Sequence, residues 1–396
     1  MSMISIAEAH ERLRLKCRVQ VDVQMTGLRR CLGRALASDI VSRINVPPAD
    51  NSAMDGYVLR REDWQGAEHS LQISQRIAAG HAPAPLERGT AARIFTGAET
   101  PAGADVVVMQ EHCSSDGSSV RMQAVGEIGS NIRRRGQDIR RGATVLRTGH
   151  RLRAQDLGLI ASLGIAEIEV LRRLKVAIVS TGEELVEPGD IAGPGQIYNS
   201  NRYLLEALLE NWGFEVLDFG ITADDPMEIS DVMSTASHQA DVIITTGGVS
   251  VGEEDHVKAV VESLGHLDLW RVAIKPGKPF AFGDVQGTPF IGLPGNPVSA
   301  WVTALVIARP FLFSCQGFCH QDIVPLRQIA LFDKKGSARQ EYLRARTGPE
   351  GVEIFHQQSS GVLYSTSWGD AMVVQKVGED ITRGGLVDVI PYVLFN

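Results

Sequence analysis

The chain begins without a basic stretch or a long apolar core, so MSMISIAEAHERL is not read as a signal peptide. Its longest apolar run towards the end, Ala300 to Ala308, is too short to span a bilayer. Basic charge is also in short supply: 39 Lys and Arg against 47 Asp and Glu leave a net charge of −8. That sign argues against a general nucleic-acid binder. The five cysteines, at 17, 31, 113, 315 and 319, are an odd number and scattered, which fits reduced thiols in the cytoplasm. Cys315-x-x-x-Cys319-His320 has no second ligand pair, so idle thiols are expected there rather than a metal site. The G-x-x-x-x-G-K-[ST] signature is missing, which excludes a P-loop nucleotide hydrolase. No internal repeat, heptad or low-complexity tract interrupts the chain.

What remains is a 396-residue chain with an ordinary globular balance, 44% hydrophobic and 22% charged. That length suggests roughly two to four domains. Residues 4–16 have helical spacing. VPPADNSAMDGYVLR (46–60) reads as an ordered loop entering a strand, and residues 71–125 as short strands between Gly and Pro. GSNIRRRGQDIRRG (129–142) is either a solvated charge run or the lining of an anion pocket. HRLRAQDLGLIASLGI (150–165) reads as a helix. From Leu174 the pattern changes to alternating strands and helices. Asn199-Ser200 caps one helix and Asp225-Pro226 opens the next. The expected fold is therefore multi-domain α/β plus β. A central doubly wound, mainly parallel sheet (171–320) follows an N-terminal region (1–170) whose β-rich insert covers about 46–141. Short alternating runs after 320 predict a small β-barrel or sandwich over 321–396.

The most informative stretch is TTGGVSVGEEDHVK (245–258). It joins an apolar β-branched strand to a helix through Gly247, Gly248 and Gly252. Such a turn leaves backbone N–H groups free and lets a phosphate approach closely. Glu253, Glu254 and Asp255 follow, and acids beside a phosphate call for a divalent cation. A tight turn with solvated acids is the plainer alternative. Other loops of the same region offer Glu184, Asp224, Lys275, Lys278 and the LPGNP turn. Two unit charges 4 Å apart repel by about 4 kcal/mol at an effective dielectric near 20, so converging carboxylates imply Mg²⁺ or a basic partner. Together the set suits chemistry on a phosphate ester or anhydride.

NSAMDGY, FTGAETPAGADVVVMQE, NIRRRGQDI, STGEEL, TTGGVSVGEEDHVK, IKPGKPFAFG and GLPGNPVSA occur in this order over nearly the whole N-terminal three-quarters. The chain thereby resembles the molybdopterin molybdenumtransferases, the MoeA family related to the C-terminal domain of gephyrin. The resemblance implies insertion of molybdate into adenylylated molybdopterin, with Mg²⁺-dependent hydrolysis of the phosphoanhydride and release of AMP. By motif position it implies catalytic roles for Asp55, Thr96, Asp138, Glu184, Asp224 and Asp255, with Glu184, Asp224 and Asp255 as metal ligands. Substrate binding falls to Arg133, Gly247, Gly248, Ser250, Lys275, Lys278, Pro294, Pro297, Arg339 and Ser360. A cytoplasmic homodimer is implied, with possible contacts to the adenylyltransferase of the pathway and to apo-molybdoenzymes, and no nucleic acid or membrane. The alternative is a non-catalytic pterin-binding or scaffold protein of the same fold. Gln137, Arg271 and Asp370 depart from the residues usual in the family, Asp370 by adding a negative charge.

Overall fold

The computed structural model describes residues 3–248, 256–319 and 322–396. They form two compact units. One holds Ser38–Arg147 with Ala154–Glu167; the other holds Met1–Ala37, Thr148–Arg153 and Ile168–Asn396.

The smaller unit is built on a six-stranded sheet in the order 106–109, 56–59, 90–94, 70–77, 119–122, 113–115. All its pairs are antiparallel except 70–77 with 90–94. Alternation sends Val58, Ala92, Ile94 and Val107 into one apolar cluster, and Leu59, Ala91, Val106 and Val108 into another. Both faces are thus buried, which is why Val106–Met109 is an unbroken apolar run rather than an alternating one. Gly56 sits where strand 56–59 is squeezed between its neighbours: a Cβ there would lie 1.9 Å from the Val108 carbonyl oxygen.

In the larger unit the central sheet runs 215–222, 175–181, 242–246, 288–293, 279–285, 265–271. The first four strands are parallel. Strand 279–285 alone runs the other way, antiparallel to both 288–293 and 265–271, because the chain turns back after Arg271 and again after Val285; helix His256–Leu264 runs directly into strand Gly265–Arg271. Helices Pro226–Gln239 and His256–Leu264 cover one face of the sheet through Ile229, Met233, Val257 and Val261. Helix Ser200–Asn211 and the long helix from Pro297 cover the other. The caps are those the sequence calls for: Asn199 accepts from the Arg202 N–H, and Asp225 from the N–H groups of Met227 and Glu228.

The apolar run at 300–308 is the middle of a longer element. Pro297–Thr303 continues through a π-turn, Ala304–Ala308, into Arg309–Cys315. Length and apolarity alone would let these 19 residues cross a membrane, but 78% of the window is buried within the protein as core. After it, a second six-stranded sheet holds 340–348, 371–375, 386–391 and 326–329, with 351–354 paired to 340–348. Its remaining strand is Ile274–Lys275, recruited from ahead of the long helix and parallel to Gln340–Glu341. The KPGK segment therefore does two things: it lies in the loop that joins strands 265–271 and 279–285 at the end of the central sheet, as its sequence suggests, and its Lys275 also pairs with the second sheet. A two-residue strand leaves no periodicity by which to recognise it.

Gly56→Ala forces a methyl group into backbone with no side chain able to yield, and overpacking of this kind costs about 1–3 kcal/mol or more. Its thermal midpoint is expected to fall by several degrees, with amide exchange accelerated in strands 56–59 and 106–109 before other strands. Unchanged exchange there would contradict this packing.

Candidate active site

In the smaller unit, three loops meet at one end of the sheet. Asp55 Oδ1 accepts from both the backbone N–H and the hydroxyl of Thr96, each at 2.7 Å. These two bonds hold the Asp55 pKa below the usual carboxylate range. The pair is linked across 41 residues, since Gly97 turns with φ +80° and its N–H bonds the Ser52 carbonyl. Arg133 lies in register with Asn51 on a short antiparallel pair. Asp138 is exposed, and its N–H bonds the Val46 carbonyl. Not all the arginines are free to line a pocket: Arg134 pairs with Asp50 at 2.6 Å, and the Arg135 N–H bonds the same carboxylate. Gln137 accepts from the Arg134 N–H, which gives the departure at 137 a structural use.

In the larger unit, the candidates gather at the carboxyl edge of the parallel strands. Gly182, at φ +142°, follows strand 175–181, and the Glu184 carboxylate folds over it: a Cβ on Gly182 would come within 2.5 Å of Oε2. Asp224 follows strand 215–222 and is half-buried. Gly247 and Gly248, at φ +88° and +62°, follow strand 242–246. They lie against the LPGNP turn, where a Cβ on Gly295 would stand 3.6 Å from the Gly247 Cα. Pro294 is buried, and Pro297 opens the long helix. In the strands that lead to these turns, the hydroxyls of Ser180, Thr222 and Thr245 are buried with no hydrogen-bond partner among the described residues, Ser180 on the opposite face of the sheet from the other two. Ser250 and Asp255 lie outside the described residues, as do Gly252, Glu253 and Glu254.

The second sheet brings its own members. The Ser360 carbonyl accepts from the Val298 N–H in the first turn of the long helix. Arg339 donates to the Ile274 carbonyl at 3.1 Å. Gly277, at φ +108°, lets the KPGK turn pack on that helix, with Thr303 Cγ2 2.4 Å from where a Cβ would be. Lys278 is exposed, but the Lys275 ammonium is committed: it donates to Glu341 Oε1 at 2.7 Å. Lys334 reaches the other oxygen of Glu341 at 3.2 Å. Glu341 is 1% exposed. Burial pushes its pKa up, and the two ammoniums more than offset this, so the net shift is down. Asp370 takes two bonds from Thr347, so its extra charge serves a turn.

Glu341 was not a candidate on sequence, though a signal was present. In strand Gln340–Gly348 it shares the parity of Leu343 and Ala345, both buried in the apolar cluster of the second sheet. A carboxylate in that position calls for a cation.

Glu184 and Asp224 at the carboxyl edge offer oxygen donors, which suit a hard cation such as Mg²⁺ rather than a thiolate-bound metal. Among the described residues no three His, Cys, Asp or Glu side chains form a metal-holding group.

Glu341→Gln leaves two ammoniums facing a neutral amide, at an expected cost of about 2 kcal/mol, since the lysines are partly exposed. A carboxylate whose pKa is lowered by folding stabilises fully above its unfolded value and loses this as pH falls through the folded one. Denaturation of the two proteins should therefore differ most at neutral pH and converge in the acid range below the ordinary glutamate value near 4.3. A difference independent of pH would assign the effect to packing.

Residues 4–164 match the MoeA N-terminal region (domain I and II), and residues 177–314 match a probable molybdopterin binding domain. The chain is 42% identical over 320 residues to the molybdopterin molybdenumtransferase of Haemophilus influenzae, covering 80% of this chain and 78% of that one. It is 34% identical over 382 residues to that of Nostoc, covering 92% and 88%. The crystal structure of a molybdopterin biosynthesis MoeA protein from Pyrococcus horikoshii superposes with a TM-score of 0.86 at 27% identity, over 99% of this chain and 100% of that one. The chain belongs to the MoeA family of molybdopterin molybdenumtransferases, enzymes of molybdenum cofactor biosynthesis.

Proposed function

We propose that the protein inserts molybdate into adenylylated molybdopterin, hydrolysing the phosphoanhydride and releasing AMP. The observation that carries this reading is the pair of glycine turns at 247–248 and 295, which meet without side chains at the ends of parallel strands. A phosphate needs such a surface, where backbone N–H groups can reach it. Glu184 and Asp224 would hold Mg²⁺, which when bound neutralises phosphate charge and polarises the bond to be cleaved. Lys278 and Lys275 hold the incoming oxyanion, with Lys275 aimed by Glu341. Pro276 restricts the turn between them, and the ion pair with Glu341 positions the Lys275 ammonium before the oxyanion arrives. Asp55 orients the Thr96 hydroxyl, leaving its own second oxygen for substrate. A scaffold reading is not favoured, given the transferase relatives.

We also read the protein as a cytoplasmic homodimer that meets the adenylyltransferase supplying its substrate and the apo-molybdoenzymes receiving its product. Its five cysteines are free thiols, in keeping with a reducing compartment.

Purified protein given adenylylated molybdopterin, Mg²⁺ and molybdate should release AMP and yield active cofactor; no AMP would refute the proposal. Lys278→Ala is the cleaner lysine test, because Lys275 also neutralises Glu341. It should raise the molybdate concentration required by about tenfold or more while pterin binding changes little. Equal weakening of both would place Lys278 on the phosphate instead.

Complementation tests the dimer. Asp55→Ala and Asp255→Ala proteins should each be nearly inactive. If each site draws these residues from different subunits, mixing with proven subunit exchange restores about a quarter of wild-type activity, by two-fold symmetry. No recovery would mean that one subunit supplies both.

A further inference from the structure

The larger unit contains a cavity, apolar over most of its lining, that the proposed chemistry does not use. It has a volume of about 420 Å³, within the range of small-molecule sites. Gln316, at the end of the long helix, fixes its place: its amide accepts from the Leu174 N–H and donates to the Arg172 carbonyl, at the start of strand 175–181. The cavity borders this end of the helix, so it lies at the amino edge of the parallel strands. The candidate site lies at their carboxyl edge. Arg309 stands twelve residues beyond Pro297, roughly 18 Å along the helix.

Two guanidiniums line this cavity, those of Arg151 and Arg309. Arg309 Nε donates to the Phe395 carbonyl at 2.8 Å, and Arg151 Nη2 to the Trp212 carbonyl at 3.3 Å. Each also faces the Phe313 ring, at 4.1 Å and 5.5 Å from its centroid respectively. Burial, and then the charge of Arg151, pull the Arg309 pKa down to about 10, so it is still a cation at neutral pH. Burial lowers that of Arg151 as well. Asp322 also lines the wall and has an interaction of its own, but no ion pair joins it to either guanidinium among the described residues. Two partly buried like charges with unused donors are a standing cost unless an anion joins them. Beside them the wall is apolar, through Phe318, Ile323, Val324 and Leu326, and Val324 is 75% exposed.

We propose that this cavity binds an organic phosphate monoester: a dianionic head held by Arg151 and Arg309, and an apolar body laid along Phe318 and Leu326. Two forked guanidiniums match the charge and the oxygen geometry of a phosphate better than those of a single carboxylate.

Calorimetric titration of the full chain with phenyl phosphate and with inorganic phosphate tests this. Phenyl phosphate should bind at least tenfold more tightly than inorganic phosphate. Arg309→Met and Arg151→Gln should each weaken it by tenfold or more. Arg309→Met removes a buried charge, so its melting transition should stay cooperative; should it fail to fold, Arg151→Gln, in a loop, decides alone. No binding of phenyl phosphate at millimolar concentration, or binding indifferent to the substitutions, overturns the proposal. Equal affinity for inorganic phosphate overturns the assigned ligand class.

Discussion

A helix that is apolar all round must be covered all round, and the larger unit is organised by that requirement. The long helix from Pro297 has no polar face to offer solvent through its middle: Ala300, Val302, Leu305, Ile307 and Ala308 are all essentially buried. One apolar cluster joins it to Ile178, Ile244 and Leu293 of the central sheet, to Ala9 and Leu13 of the N-terminal helix, and to Met372 and Ile390 of the second sheet. Trp301 stacks edge-on against Tyr392 at 4.8 Å. Elements far apart in sequence are thus held by one shared surface. The same helix fixes both edges of the central sheet. Its first turn starts at the LPGNP turn and takes the Ser360 carbonyl, and its last turn pins the start of strand 175–181 through Gln316.

This explains which parts were legible in the sequence. The cap at Asn199 and the Asp225-Pro226 start are local chemistry, and the structure shows both in place. The glycine turn after strand 242–246 was legible for the same reason, since only glycine enters φ values near +88° cheaply. Gly56 is different. Its φ is ordinary, and the need for glycine comes from a neighbouring strand some fifty residues on. The bond from Thr96 to Asp55 likewise joins distant segments, so sequence could nominate each residue but not the pair.

Two features escaped for tertiary reasons. Strand 274–275 is too short to carry a pattern, so the sequence shows the KPGK turn as a loop of the central sheet but not its added pairing with the second. The antiparallel edge of the central sheet escaped because the Pro276-Gly277 turn marks the end of a strand without saying that 279–285 then pairs back on 265–271. Both concern which strand a segment pairs with, a choice made by packing and not by propensity.

Three buried charges in the larger unit show how the protein treats this problem. Glu341 is paired with two ammoniums. Arg344, 1% exposed, has no carboxylate but donates to the Ser365 hydroxyl and to the carbonyls of Tyr342 and Ser359. Its fork is largely used, and burial alone lowers its pKa to about 10. Arg309 is lowered as far with one carbonyl and one aromatic ring, beside a second cation. The first two charges are compensated from within the fold and act as structural ties. For the third, the ring offers only about 0.5–2 kcal/mol, less than a charged hydrogen bond returns to a desolvated guanidinium. By the standard the protein meets elsewhere, Arg309 and Arg151 are the place where compensation comes from outside the chain.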